Sequence, residues 1–229
     1  MLAIDDPLVA ALTLAVRSGN VGGLAIMLAE NPNLALERFG DETTSRTALH
    51  LATDWPGNYP CVAQTIAMLI AAGAPIDGRF AGPHRETPLH WAASSDDVAA
   101  VDALLDAGAE IEADGAVLTD GTPLADAVVF AQWKAARRLV ERGATMTIWQ
   151  AAALGETAEM ARILDTASRD AADITNACWH ACRAGHVQAA QLLVSRGADL
   201  DRVGHDDLTS RQAGMASASA DLRAWLSVV

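Results

Sequence analysis

The chain has 229 residues, of which 16 are basic and 29 acidic, so its formal net charge at pH 7 is −13. A surface this acidic repels phosphate backbones and anionic lipid headgroups, which excludes nucleic acids and membranes as expected partners. No uninterrupted apolar run reaches the roughly 18 residues that a membrane span needs, and acidic Asp5 and Asp6 stand where a secretion signal would be basic.

Cysteine is scarce, with three residues at Cys61, Cys178 and Cys182. An odd and small number of cysteines argues against a disulfide framework and for a reducing compartment. We therefore expect a soluble, cytoplasmic protein.

A short motif recurs along the first half of the chain. Residues 47–52 read Thr-Ala-Leu-His-Leu-Ala, residues 87–92 read Thr-Pro-Leu-His-Trp-Ala, and residues 122–127 read Thr-Pro-Leu-Ala-Asp-Ala. Recurrence at a period of roughly 33 residues is typical of stacked repeats, in which no unit can bury its apolar face without a neighbour.

The small residue that closes the first helix of each repeat predicts seven units. It stands at Ala15, Ala52, Ala92, Ala127, Ala151, Ala181 and Ala213. About twelve residues after each of these, an apolar pair or triplet marks a second helix, so each unit is predicted to be a helix-turn-helix. We expect one domain over residues 1–229, with units near 5–30, 43–73, 83–108, 118–143, 145–167, 174–197 and 205–229. Glycines at 73, 108, 143 and 197 suit the left-handed residue that ends a helix.

These signals together resemble the ankyrin repeat. The Thr-Pro-Leu-His motif, the Gly185-His186 turn and Gly197-Ala198-Asp199 stand in the order that this family has. The resemblance implies an all-α solenoid of stacked helix-turn-helix units with short β-hairpin fingers, and it implies a protein-binding role. In the family the threonine begins the first helix and the histidine ties adjacent units together, roles that match Thr87 and His90.

Two spacings depart from the family pattern. Only 24 residues separate Ala127 from Ala151, so residues 144–147 are the only link there and no finger is expected. Ala52 and Ala92 are 40 residues apart because of an inserted loop at residues 54–60, where two prolines and a glycine exclude a helix. The remaining fingers are predicted at residues 75–86, 110–121 and 200–207. Trp149 and Trp179 occupy the column of the family's histidine and are interpreted as packing residues.

In an ankyrin-like stack the first helices line a concave wall, and its aromatic and acidic centre is the predicted contact surface. The candidate residues are Asp54, Trp55, Tyr59, Trp91, Ser94, Ser95, Asp96, Asp126 and Phe130. Aromatic rings with carboxylates around them suit a partner protein with basic residues, or a small cationic or polyhydroxylated ligand. Two alternatives remain open: Trp91 merely fills the place that Leu51 has one unit earlier, and the inserted loop only packs over helix ends.

Catalysis and metal binding have weaker support. Asp54 could face Asp96 or Asp126 across the groove as an acid-base pair, although chance pairing is expected with 29 acidic residues. Cys178, Cys182 and His186 are spaced for one helix face, yet both cysteines fall in buried columns. We predict no cofactor or metal, and a module for protein–protein interaction through the concave face. The alternative is a small-molecule binder or an unorthodox enzyme with a pocket around Trp55, Trp91 and Asp54.

Overall fold

The computed structural model describes residues 1–166 and 169–229, which divide into two compact units, residues 1–144 and residues 145–229. The boundary falls in the short link predicted at residues 144–147. The end of the fifth predicted repeat, at residue 167, lies outside the described residues. The expectation of one continuous domain stays a prediction.

The first compact unit consists of four successive helix pairs. They are α1 (Pro7–Ser18) with α2 (Val21–Glu30), α3 (Ala48–Thr53) with α4 (Val62–Ala71), α5 (Pro88–Ser94) with α6 (Val98–Asp106), and α7 (Pro123–Val129) with α8 (Trp133–Glu141). Leu49 and Leu89 of the first helices are at most 1% exposed, as are Leu104 and Leu139 of the second helices. Each pair therefore buries its apolar face against a neighbour, which confirms the predicted helix-turn-helix repeats.

The second compact unit continues the pattern with three pairs. They are α9 (Ile148–Leu154) with α10 (Thr157–Thr166), α11 (Ala171–Ala184) with α12 (Val187–Ser195), and α13 (Ser210–Ala216) with α14 (Ala220–Leu226). Trp179 of α11 is 3% exposed, and its Nε1 donates a hydrogen bond to the Leu208 carbonyl oxygen at 3.1 Å. That placement agrees with its interpretation as a packing residue.

The first helices begin at threonines that the motif places there. The Thr87 backbone N–H donates to Nδ1 of His90 at 3.1 Å, and Nε2 of His90 lies 3.2 Å from the carbonyl oxygen of Gly121 in the next repeat. Thr47 and His50 make the same cap, with Nε2 of His50 at 3.2 Å from the Glu86 carbonyl oxygen. Because an N–H can only donate and a carbonyl can only accept, Nε2 carries the proton in both histidines. The predicted tie between units is thus present.

Burial keeps these two histidines neutral. It is the largest cause that lowers the pKa of His50 to about 3 and the pKa of His90 to about 4. A charged imidazole would lose its hydration there and could no longer accept the threonine N–H.

The only pair of β-strands among the described residues lies in the first compact unit, before the segments predicted as fingers. Strands β1 (Arg38–Gly40) and β2 (Ser45–Thr47) pair antiparallel, with Phe39 opposite Arg46. This hairpin precedes the predicted fingers, and the sequence analysis did not identify it. The segment 75–86 joins it through a bridge between Ser45 and Ala81.

The fingers at 75–86 and 110–121 also touch each other. The Arg85 N–H donates to the Gly115 carbonyl oxygen at 3.3 Å. Gly115 has a φ of +110°, and a Cβ there would lie 2.6 Å from the Arg85 carbonyl oxygen, so this close approach requires glycine. None of the described helices is both long enough and apolar enough to cross a bilayer.

Candidate functional site

A groove of about 420 Å³ lies in the first compact unit beside the first helices α3, α5 and α7. Its lining residues are Asp54, Trp55, His84, Glu86, Trp91, Ser94, Ser95, Val117, Phe130 and Gln132. Six of the nine residues predicted from the sequence therefore meet at one place: Asp54, Trp55, Trp91, Ser94, Ser95 and Phe130.

Trp91 is half-buried and firmly held on one side. Its Nε1 donates a hydrogen bond to Oε2 of Glu86 at 2.7 Å, and the Arg46 guanidinium lies over its ring, 5.4 Å from the centroid. The equivalent residue one unit earlier, Leu51, is 2% exposed. Trp91 thus packs in the Leu51 column and also lines an open hollow.

Asp54 is already paired with two basic residues. Its Oδ2 lies 2.9 Å from Nη2 of Arg17 and 3.3 Å from Nη1 of Arg46, while Oδ1 accepts the Trp55 N–H at 3.0 Å. The carboxylate is therefore not a free negative charge in the groove.

The inserted loop at residues 54–60 both packs against a helix end and lines the groove. The Asn58 N–H donates to Oδ2 of Asp97 at 2.6 Å, which docks the loop on the start of α6. Trp55 nevertheless remains 71% exposed and lines the groove. Tyr59 lies outside the lining; its hydroxyl donates to the Trp55 carbonyl oxygen at 3.2 Å and so braces the loop.

The two serines and Asp96 have local partners. Ser94 Oγ donates to the Trp91 carbonyl oxygen at 3.1 Å, and Ser95 Oγ donates to the Thr53 carbonyl oxygen at 3.4 Å. Asp96 is not part of the groove lining, and its Oδ1 accepts the Ala135 N–H at 2.8 Å in the first turn of α8. Its position therefore fits the role of a helix cap.

Asp126 is buried rather than exposed on the wall, since only 1% of its surface reaches solvent. Burial, followed by the negative charge of Glu86, raises the pKa of Asp126 to about 9. Neither of its oxygens has a hydrogen-bond partner among the described residues, so nothing offsets a negative charge there, and burial beside Glu86 keeps the proton on Asp126. At neutral pH this side chain is uncharged.

Glu86 and His84 belong to the site although the sequence analysis did not identify them. Glu86 is 6% exposed, and its Oε1 accepts the Val117 N–H at 3.0 Å. Its Oε2 lies 3.0 Å from Nδ1 of His84, whose ring stacks on Phe80 at 4.4 Å. Glu86 thereby fixes both fingers to Trp91. No sequence period marks a buried glutamate in a finger, so only the tertiary contacts could identify it.

Most polar groups of the groove already have hydrogen-bond or ion-pair partners within the protein. The side chains that remain open to solvent there are mainly aromatic. Asp54 and Asp96 have different partners, Asp126 is buried beside Glu86, and the described contacts do not pair the three across the groove. Among the described residues, no three His, Cys, Asp or Glu side chains are arranged to hold a metal ion. Phe130 and Val117 are each 42% exposed at the groove. This arrangement suits binding of an apolar or cationic group.

The comparisons with known proteins agree with the repeat pattern. The sequence profile of the ankyrin repeat matches residues 84–116 and 175–205, one stretch in each compact unit. Among solved structures, the human ASB11 ankyrin repeat domain matches with a TM-score of 0.58 and 20% identity, covering 94% of this chain and 96% of that chain. At this identity the likeness concerns the fold. No curated protein sequence is significantly similar to the chain.

Proposed function

We propose that the groove beside Trp91 binds an exposed segment of a partner protein, because two stretches of the chain match the ankyrin repeat and ankyrin repeat domains generally bind other proteins. The observation that supports this proposal is the pair of aromatic side chains left open to solvent there, Trp55 at 71% and Phe130 at 42% exposure. Large exposed aromatic residues in a concave surface are typical of the centres of protein interfaces.

The charge distribution favours a partner with basic residues. Residues 1–144 contain nine basic and nineteen acidic side chains, a net −10 out of the total of −13. Such a field raises the association rate of a basic partner. At close range the contact is with aromatic faces, because Asp54 is neutralised by Arg17 and Arg46. A lysine or arginine over an exposed ring contributes about 0.5–1 kcal/mol.

A small cationic or polyhydroxylated ligand is the second candidate. The groove volume of about 420 Å³ lies within the range of small-molecule sites. However, Trp55 is 71% exposed and does not close over the groove, which favours a protein segment. Small-molecule sites usually enclose most of the ligand surface.

The test uses Trp55→Ala and a matched control, Ile26→Ala on α2. Both residues are largely exposed, at 71% and 61%, so neither change should alter stability by more than about 0.5 kcal/mol. The immobilised wild-type protein is used to capture partners from native cell extract, and dissociation constants of the purified partners are then measured with each variant. Loss of a central aromatic contact should weaken binding by about 30-fold for Trp55→Ala and leave Ile26→Ala unchanged. Equal affinities for both variants would place the contact surface elsewhere.

A further inference from the structure

Two arginines share one carboxylate oxygen at the edge of the groove. Arg17, in the last turn of α1, lies 2.9 Å from Oδ2 of Asp54, and Arg46, in β2, lies 3.3 Å from the same oxygen. The exposed fractions of the three side chains are 45%, 30% and 22%. The cluster therefore has a local charge of +1 within a strongly acidic unit and remains accessible.

Both guanidinium groups have unused hydrogen-bond donors. An arginine has five N–H donors, and the described contacts of Arg17 and Arg46 contain one hydrogen bond each, to Asp54. Arg142 is better satisfied, because it reaches both Asp102 and Asp106. The donors left over at Arg17 and Arg46 are available to a second acceptor.

Aromatic rings hold both arginines in place. The Arg46 guanidinium lies 5.4 Å from the centroid of the Trp91 ring, and the Arg17 guanidinium lies 5.7 Å from that of Tyr59. Cation–π contacts of this kind restrict the side chain before any ligand arrives, which lowers the entropy lost on binding.

The pair lines a second depression of the same compact unit, which shares Asp54 with the groove. Asp54 lines the groove beside Trp91 and also a second depression of about 470 Å³. The second depression is lined by Ile4, Ala10, Thr13, Leu14, Arg17, Arg46, Leu51 and Asp54. Leu14 is 70% exposed and Ile4 is 53% exposed, so its open surface is largely apolar.

We propose that Arg17 and Arg46 form a carboxylate subsite, which binds an aspartate or glutamate of the partner segment while apolar residues on either side of it enter the two depressions. This inference rests on the proposed function, since the segment occupies the same surface. A carboxylate offers about four acceptor positions and matches the planar donors of arginine. Asp54 then acts as an internal competitor for the same donors. The net negative charge of the unit repels a carboxylate, and only this local pair of arginines attracts one. The subsite therefore determines which residue of the segment lies at this position.

The probes are three acetylated tripeptide amides: Leu-Glu-Leu, its neutral analogue Leu-Gln-Leu, and Leu-Arg-Leu. Each is titrated at millimolar concentration into ¹⁵N-labelled full-length protein, with the arginine Nε–H and tryptophan Nε1–H signals observed by NMR. We expect Leu-Glu-Leu to shift the Arg17 and Arg46 signals and to bind about tenfold more tightly than Leu-Gln-Leu. This preference is opposite to the one that the net charge of −13 alone would produce.

Two variants with opposite expected effects on the affinity for Leu-Glu-Leu distinguish this subsite from an ion pair that only stabilises the fold. Arg17→Gln should weaken Leu-Glu-Leu about tenfold, whereas Asp54→Asn, which removes the competitor, should tighten it about threefold. Backbone spectra of both variants verify that they fold. Equal binding of the Glu and Gln peptides, or weaker Leu-Glu-Leu binding by Asp54→Asn, would overturn the inference.

The proposed function can be distinguished from the subsite in the same titrations. If Leu-Arg-Leu shifts the Trp55 signal and Trp55→Ala abolishes its binding, while Leu-Glu-Leu leaves Arg17 and Arg46 unshifted, the groove is a binding site and the carboxylate subsite is wrong. If Trp55→Ala changes the affinity of none of the three peptides, the proposed contact surface is wrong and the inference fails with it.

Discussion

Replacing the buried Asp126 by asparagine should stabilise the protein at neutral pH, by an amount that grows as the pH rises. Asp126 is 1% exposed, and burial together with the charge of Glu86 raises its pKa to about 9. The folded protein therefore keeps a proton on Asp126, because an ionised carboxylate there would be buried without a partner and next to a second negative charge. An asparagine amide has nearly the same shape as the protonated acid and is uncharged at every pH, so it has no proton to lose.

The magnitude follows from proton linkage. The unfolded chain releases the Asp126 proton near the ordinary pKa of 3.8, whereas the folded chain keeps it up to about 9. Between these values the folded state holds one more proton, so rising pH lowers the free energy of unfolding by about 1.4 kcal/mol per pH unit. From pH 5 to pH 8 the advantage of Asp126→Asn over wild type should therefore grow by up to about 4 kcal/mol. Contributions of other titrating groups, such as His50, are common to both proteins and cancel.

Urea unfolding at pH 5, 6, 7 and 8 measures this difference, with Asp120→Asn as the control. Asp120 is exposed in the finger at 110–121, so its substitution replaces the same functional group without relieving a buried acid. Because the chain has two compact units, hydrogen exchange of amides in α5 and α7 assigns the effect to the first unit. An Asp126→Asn advantage that stays constant across this pH range would mean that Asp126 is ionised in the folded protein, and the reasoning would fail.

Three further substitutions test a cap, a turn and a helix. His90→Gln should keep the Thr87 cap, as Gln150 does for Thr147, and should reduce the acid sensitivity of the fold. Burial lowers the pKa of His90 to about 4, so the unfolded chain gains this proton first as the pH falls below 6.5, and wild type loses up to about 1.4 kcal/mol per pH unit through this group. Urea unfolding at pH 6.5 and 4.5 measures it, and identical pH dependences of variant and wild type would contradict the prediction. Ala131→Gly should stabilise by about 1 kcal/mol, because Ala131 has a φ of +57° at the turn where Gly155 and Gly185 stand in later repeats. Ala67→Gly, within α4, should destabilise by about 1 kcal/mol, and thermal unfolding that ranks the two variants the other way would refute the argument.

The repeat architecture could be predicted because its signals are local. Thr87, Pro88 and His90 lie within one turn of helix, and the cap that they form depends mainly on one another. The glycine positions after the second helices act over a similarly short range. The same locality explains most of the six predicted residues that meet at the groove: Trp91 and Ser94 lie on α5, and Asp54, Ser95 and Phe130 directly follow the ends of α3, α5 and α7.

The charge state of the site could not be predicted in this way. Asp54 was expected as an open carboxylate, yet Arg17, 37 residues earlier in the chain, binds it. Val117 lies 31 residues after Glu86 and donates its backbone N–H to that buried carboxylate. The sequence shows the residue types of these pairs, but it does not show which residues of different repeats meet.

By itself, the sequence determined the stacked helix pairs and the threonine caps, and it grouped Trp55, Trp91 and Phe130, which line one groove. The tertiary structure alone decided that Asp126 is neutral, that Glu86 lies beneath Trp91, and that Asp54 is held by two arginines. The physical reason is the distance along the chain over which each interaction acts. Helix periods and caps act over about four residues, whereas the burial and pairing of a charge depend on side chains that approach only when the repeats stack.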